Sequence, residues 1–140
     1  MDYLVLRNLL IRHEGLKLKP YKDTKGKLTI GVGRNLDDRG ITEAEALELL
    51  FNDIHICVRE AEQNFKWFNE IDGQRKLVVI SMIFNMGLPK FKGFVKTIEA
   101  IERRDYKEAA KEMLDSDWGR GPTANRAQEL ADMMSRGLPV

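Results

Sequence analysis

Cysteine is almost absent from this 140-residue chain, in which Cys57 stands alone. One thiol cannot close an intrachain disulfide, so the fold does not depend on an oxidising compartment. On an apolar helical stripe such a residue reads as a small core hydrophobe and not as a nucleophile. Histidine is nearly as scarce, with His13 and His55 alone. Those two cannot build a histidine-rich zinc centre, and no stretch has tetrahedral-site ligand spacing. No metal and no cofactor are expected. No serine stands in a nucleophile-elbow sequence. Gly31-Val32-Gly33 lacks the third glycine and the following helix of a dinucleotide-binding loop. No apolar run approaches the length of a membrane span. Met1 to Arg7 lacks a basic start followed by a long apolar stretch, so no signal peptide is expected. The chain reads as made in a cytoplasm, with no stable membrane insertion.

A surplus of one charge sign is missing as well. The 23 Lys and Arg nearly cancel the 22 Asp and Glu, for a formal net charge of +1. A duplex-binding protein needs a concentrated basic face, whereas the signs here are interspersed, so nucleic acid is not an expected partner. Hydrophobic residues make up 43% of the chain, which argues against disorder. The local cluster Lys17-Leu18-Lys19 can help to hold an anionic polymer. The length suits one compact unit, or two small lobes sharing a helix.

Periodicity supplies the elements. Asp2 to His13 reads as a helix, with Leu6, Leu9, Leu10 and His13 on one face. Gly15 fits its stop, which puts Glu14 at a helix end. Pro20 argues that the helix is over by Lys19. Tyr21 to Arg34 reads as a small antiparallel sheet turning at Lys25-Gly26, where Leu28, Ile30 and Val32 alternate with Thr29, Gly31 and Gly33. Asp37 to Gly40 reads as a turn. Thr42 and Glu45 have capping-box spacing, preceded by the staple residue Ile41. Leu47, Leu50, Phe51, Ile54, Val58, Ala61 and Phe65 then predict one amphipathic helix of about 22 residues, long enough to join two lobes and contribute to both cores. Asn69 to Gly73 reads as a turn. Gln74 to Met86 reads as a helix buried on nearly all sides, ended by Gly87 and Pro89. Phe94–Arg104, Tyr106–Leu114 and Thr123–Ser135 read as surface helices around it, with a break at Gly121-Pro122.

Glu14, Asp23 and Thr29 carry the chemistry. A carboxylic acid near a second carboxylate and a hydroxyl is equipment for hydrolysing a glycosidic bond. Taken singly, each residue has an ordinary explanation: a solvated helix end, a turn residue, a strand former.

Blocks of sequence shift that balance. Glu14-Gly15-Leu16-Lys17-Leu18, Tyr21-Lys22-Asp23-Thr24-Lys25-Gly26 and Leu28-Thr29-Ile30-Gly31-Val32-Gly33 are followed by Ile41-Thr42-Glu43-Ala44-Glu45. Asn85-Met86-Gly87 and the run from Trp118 to Ala127 complete the series. In this order the chain resembles the phage T4-type lysozyme family of endolysins, glycoside hydrolase family 24.

The resemblance implies an α+β, lysozyme-like fold: a small N-terminal lobe with a short antiparallel sheet, a long connecting helix and a mainly helical C-terminal lobe. Within a single lysozyme domain spanning 1–140, the N-terminal lobe would cover about 14–50 and the linking helix about 43–65. The C-terminal lobe would cover about 66–140, with helix 2–13 packed on it. The implied substrate is bacterial peptidoglycan, held in a cleft and cut by a monomer at the β-1,4 bond from N-acetylmuramic acid to N-acetylglucosamine. Glu14 would be the general acid, protonated near neutral pH and aided by partial burial. Asp23 and Thr29 would position the attacking water, giving inversion. Leu36, Phe84, Asn85, Phe94 and Asn125 are the implied substrate contacts, and Arg126 the residue that orients the acid. Phe94 and Trp118 match aromatic positions that pack the C-terminal lobe or flank the cleft. The enzyme would wait in the host bacterial cytoplasm and reach the cell wall at phage lysis, an antimicrobial, bacteriolytic role.

Two departures stand out. Arg34 occupies the position of a histidine that makes a structural ion pair in the best-known member, so that pair is expected to be absent or replaced. The stretch from Arg34 to Ile41 is much shorter than in that member. The alternatives are a lytic transglycosylase, which needs no positioned water, and a non-catalytic peptidoglycan-binding module, which needs no acid.

Overall fold

The structure, a computed structural model, describes residues 1–137. The chain divides into two compact units, Met1–Leu49 and Leu50–Val140.

The first unit opens with helix α1, Tyr3–Glu14. Asp2 lies just outside it and not within it: its Oδ1 accepts the backbone N–H groups of Leu4 and Val5 at 3.0 and 3.1 Å, satisfying donors that have no partner inside the helix. Gly15 closes the helix at φ +79°, with its N–H donated to the carbonyl of Ile11. Strands β1 (Lys17–Lys22), β2 (Leu28–Gly31) and β3 (Arg34–Asn35) make an antiparallel sheet in that order. The sheet begins at Lys17, earlier than the expected Tyr21. Pro20 is accommodated because β1 is an edge strand whose pairing with β2 is irregular between Lys17 and Tyr21. Among the described residues of this unit, Thr29 alone is buried, at 3% exposure.

Helix α2, Glu43–Asn64, is the expected 22-residue element and runs from the first unit into the second. Its capping box is reciprocal: Glu45 N–H donates to Thr42 Oγ1 at 3.1 Å, and Thr42 N–H to Glu45 Oε1 at 2.8 Å. Such a cap is worth about 1 kcal/mol. Only the second half of α2 is packed. Cys57 and Ala61 are buried, whereas Leu47, Leu50, Phe51 and Ile54 are exposed. The expected contribution to two cores reduces to one, because the first unit encloses no buried apolar side chain for α2 to join.

The second unit continues through a 3-10 turn, Lys66–Glu70, that buries Trp67 and Phe68. Among the described residues six helices follow: α3 (Gly73–Met86), α4 (Leu88–Lys92), α5 (Val95–Glu102), α6 (Tyr106–Leu114), α7 (Asp117–Arg120) and α8 (Ala124–Arg136). Helix α3 is capped by Asp72, which accepts Arg75 N–H. Its buried stripe is Val78, Val79, Met82 and Ile83. It is not buried on all sides as expected, since Leu77 is 52% and Phe84 47% exposed. Helices α4 and α7 were not legible, being only 5 and 4 residues long and so shorter than any periodicity window. Pro89 sits in the first turn of α4, where its missing N–H costs nothing. It starts a helix as well as stopping one.

The core of this unit contains an aromatic chain. Trp67 stacks on Phe65 at 5.0 Å, Phe65 meets fully buried Phe91 edge-on at 5.6 Å, and Phe91 stacks on Phe94 at 6.5 Å. Phe94 then meets the edge of Trp118 at 6.1 Å. Arg75 ties three helices together. It donates to the carbonyls of Met134 and Ser135 at 2.8 and 3.1 Å, capping the last turn of α8, and its guanidinium lies 3.7 Å over the Tyr106 ring.

Candidate active site

Four candidate residues lie in the first unit: Glu14, Asp23, Thr29 and Leu36. Glu14 is the last residue of α1, and Gly15 turns the chain sharply into β1. The carboxyl group rests against the backbone of Gly33, in the β2–β3 turn, where an added Cβ would stand 3.0 Å from Glu14 Oε2. The turn has no side chain there, and the acid occupies the space. Glu14 is nevertheless exposed, so the partial burial expected of it is not found. A helix end bounded by two glycines offers little side-chain volume to cover it.

Asp23 opens the β1–β2 turn. Its Oδ1 accepts the N–H groups of Lys25 and Lys27 at 2.8 and 2.9 Å, a local arrangement that aspartate favours at turns. Thr29 Oγ1 donates to the Lys27 carbonyl at 2.9 Å. The same carbonyl accepts Asp23 N–H at 2.9 Å. The backbone of Lys27 therefore binds both residues, accepting from one and donating to and accepting from the other. Tyr21 pairs with Thr29 across the hairpin, and Asp23 lies two positions beyond Tyr21. The two-residue period of the pleat puts Asp23 and Thr29 on one side of the hairpin. Because Thr29 spends its proton on a carbonyl, its oxygen is offered as an acceptor. The second oxygen of Asp23 is an acceptor too. A water between such groups would donate both its protons and turn a lone pair outward.

Lys27 was missed in the sequence, where a backbone role leaves no side-chain signal. Its ammonium group pairs with Asp38 at 3.1 Å, and that hydrogen bond holds its pKa above the usual lysine range. Asp37 supports the same strand by accepting Leu28 N–H at 2.7 Å. Half-buried Leu36 joins through its backbone N–H, donated to the Leu28 carbonyl at 2.7 Å. Arg34 has a replacement partner for the missing ion pair. Its guanidinium grips Glu45 with two parallel bonds of 2.8 Å and reaches the Gly40 carbonyl at 3.2 Å. The Arg34 hydrogen bond, followed by the Thr42 N–H, pulls the Glu45 pKa down to about 2.

The remaining candidates lie in the second unit. Phe84, Asn85 and Arg126 line a cavity of about 760 Å³ whose wall also includes Leu77, Ile80 and Met133. Asn85 Oδ1 accepts the Trp118 indole N–H at 2.9 Å. Phe94 is half-buried and packed into the aromatic chain. Asn125 and Arg126 are exposed on the first turn of α8. Among the described residues, no group of three or more His, Cys, Asp or Glu is placed to hold a metal ion. No helix among them is long and apolar enough to cross a membrane.

The chain is similar to probable T4-type lysozyme 1 of Dictyostelium discoideum, with 29% identity over 161 aligned positions covering 94% of each protein. It is similar to probable T4-type lysozyme 2 of the same organism, with 28% identity over 162 positions and the same coverage. A family model for phage lysozyme matches residues 11–136. That match includes every candidate residue in both units, and the chain belongs to the phage lysozyme family.

Proposed function

We propose that the protein is a lysozyme that hydrolyses the β-1,4 bond between N-acetylmuramic acid and N-acetylglucosamine in bacterial peptidoglycan, with inversion at the anomeric carbon. The observation that carries this reading is the family match over residues 11–136, a span that holds Glu14, Asp23, Thr29 and Arg126. The hairpin supports it by binding Asp23 and Thr29 to the same Lys27 backbone.

In this reading Glu14 protonates the leaving oxygen as the glycosidic bond breaks. A water donates its protons to Asp23 and Thr29 and attacks the sugar from the opposite side. The carboxylate of Asp23 stabilises the positive charge that develops on the ring and takes up the proton the water sheds. Arg126 orients the acid, while Leu36, Phe84, Asn85, Phe94 and Asn125 contact the polymer. Direct attack leaves no covalent sugar on the enzyme, so the first product is the α anomer.

Digestion of purified peptidoglycan by the wild type and by Glu14→Gln is the test. The expected products are reducing N-acetylmuramic acid ends in the α form, seen by proton NMR before mutarotation. Glu14→Gln should lose about 100-fold or more of the rate, as removal of a general acid does, with its thermal unfolding unchanged. A β product refutes inversion. Anhydro ends show transglycosylation instead, and lysis by Glu14→Gln at the wild-type rate removes the acid from its role.

A further inference from the structure

We propose that β1 and the turn after it dock on an acidic phospholipid surface, with lysines held to the headgroups and leucines sunk among them. The proposal is separate from the reaction above and does not depend on it.

From Lys17 to Lys27 the chain carries Lys17, Lys19, Lys22, Lys25 and Lys27 against a single acid, Asp23. The even mixing of signs found along the rest of the chain breaks down here. Among the described residues only Lys27 has an acidic partner, Asp38. Asp23 spends Oδ1 on backbone N–H groups of its own turn. Lys17, Lys19, Lys22 and Lys25 are exposed, and no carboxylate among the described residues pairs with them. A lysine is a compact, strongly hydrated charge on a flexible stem. Four of them on one hairpin suit a diffuse anionic surface better than a shaped pocket.

Charge alone fits any polyanion, and the leucines decide between them. Leu16 is 57% and Leu18 84% exposed. Antiparallel sheets commonly bury one face, but β1 buries none of its six residues, and Tyr21 alone is half-buried. Lysines on an outer strand are explained by the need to block pairing with another chain. A leucine standing bare between two of them works against that purpose. A soluble phosphate polymer offers a leucine nothing. A bilayer interface offers phosphates to the ammonium groups and hydrocarbon to the leucines. The long lysine stems let the charge stay at the headgroups while the leucine goes deeper. Six extended residues span about 20 Å, enough to cover several headgroups. No helix among the described residues is long and apolar enough to cross a membrane, so the docking is peripheral, and salt should release it.

The test sediments the full chain with vesicles of phosphatidylglycerol and phosphatidylcholine in equal parts, and with vesicles of phosphatidylcholine alone. The chain should bind the first and not the second. Lys17→Gln with Lys19→Gln should weaken binding about 25-fold, or about fivefold for each lysine near an acidic surface. Leu18→Ser should weaken it about tenfold, the worth of one buried apolar side chain. Because β1 is exposed, these variants should keep the thermal unfolding of the wild type. Equal binding to both vesicles, or wild-type binding by the double lysine variant, overturns the proposal. Wild-type binding by Leu18→Ser, together with tight binding to soluble poly(glycerol phosphate), makes the surface a polyanion site and overturns the lipid. Leu18→Trp gives a second reading if a lysine variant fails to fold. Its added emission should be quenched by lipids brominated on the acyl chain, and emission that stays unquenched places the side chain in water and overturns the docking.

Discussion

The Glu14 carboxyl group and the Cα of Gly33 are packed so closely that a methyl group there would stand 3.0 Å from Oε2 and 3.3 Å from both Cδ and Cγ. Gly33 also holds φ at +68°, a region where a Cβ costs about 1–2 kcal/mol. Both facts call for glycine, one for the backbone and one for the acid beside it. Gly33→Ala should lose about that much stability in urea unfolding. If Glu14 is the acid, the displaced carboxyl should also cut the rate on glycan strands by about tenfold to 100-fold, as small misplacements of a reacting group do. A variant with reduced stability and unchanged rate would show that catalysis does not need this seat.

Thr29 allows its structural and chemical roles to be separated. Its hydroxyl donates to the Lys27 carbonyl at 2.9 Å inside the sheet. Thr29→Ser keeps that bond and the acceptor, and should keep most of the rate. Thr29→Val keeps the shape but removes both. It should cost about 1 kcal/mol for the lost bond and, on the proposed mechanism, slow hydrolysis far more than that loss explains. Rates measured at a temperature where every variant is fully folded decide the matter. Equal rates for valine and serine would remove Thr29 from the handling of water.

Long periodic elements were legible in the sequence because burial repeats along them. Helix α6 came out with its bounds, helix α2 ended one residue before the expected Phe65, and the capping box of Thr42 and Glu45 formed as spaced. What escaped lacks a repeat. Helices α4 and α7 are too short to show one, and β1 carries Pro20, which argues against a strand until its edge position is known. The exposed side of α3 was hidden because Leu77 and Phe84 look like any other core residues. In the candidate site, the placement of Glu14 at a helix end was readable from Gly15, and the hairpin turn from Lys25-Gly26. The Lys27 peptide that joins Asp23 to Thr29 was not, because backbone donors have no residue type. The absence of the histidine ion pair was readable, but Glu45 as the new partner was not, since it was already assigned to the cap.

The Arg34–Glu45 pair should give stability a defined pH dependence. Arg34 and then Thr42 lower the Glu45 pKa from 4.5 to about 2. A carboxyl group depressed in the folded state stabilises the fold fully above its unfolded pKa, and the contribution fades as pH falls through the folded value. The stability difference between the wild type and Arg34→Met should therefore be constant above pH 4.5 and shrink steadily towards pH 2. Urea midpoints across that range measure it. A difference that stays constant to pH 2 would mean that Glu45 is not held ionised by Arg34.

Two glycines without positive φ should respond to alanine with opposite signs. At Gly119 in α7, a Cβ would stand 2.5 Å from the Leu114 carbonyl oxygen, 2.6 Å from that of Met113 and 2.7 Å from Leu114 Cα. All three are backbone atoms, so relief requires moving the α6–α7 connection itself. Ser116 resists that movement by accepting Gly119 N–H at 3.0 Å. Gly119→Ala should cost about 1–3 kcal/mol, the range for overpacking, and should disturb the neighbouring Trp118 bond to Asn85. At Gly73, the first residue of α3, nothing lies within 4 Å of the same position. Gly73→Ala should stabilise by about 0.4–1 kcal/mol, because it restricts the unfolded chain and strains nothing in the folded one. Urea unfolding of both variants side by side tests the packing of the second unit without reference to activity. A neutral Gly119→Ala would mean that the chain between α6 and α7 yields freely, and that Trp118 is not held as firmly as its ring contacts require.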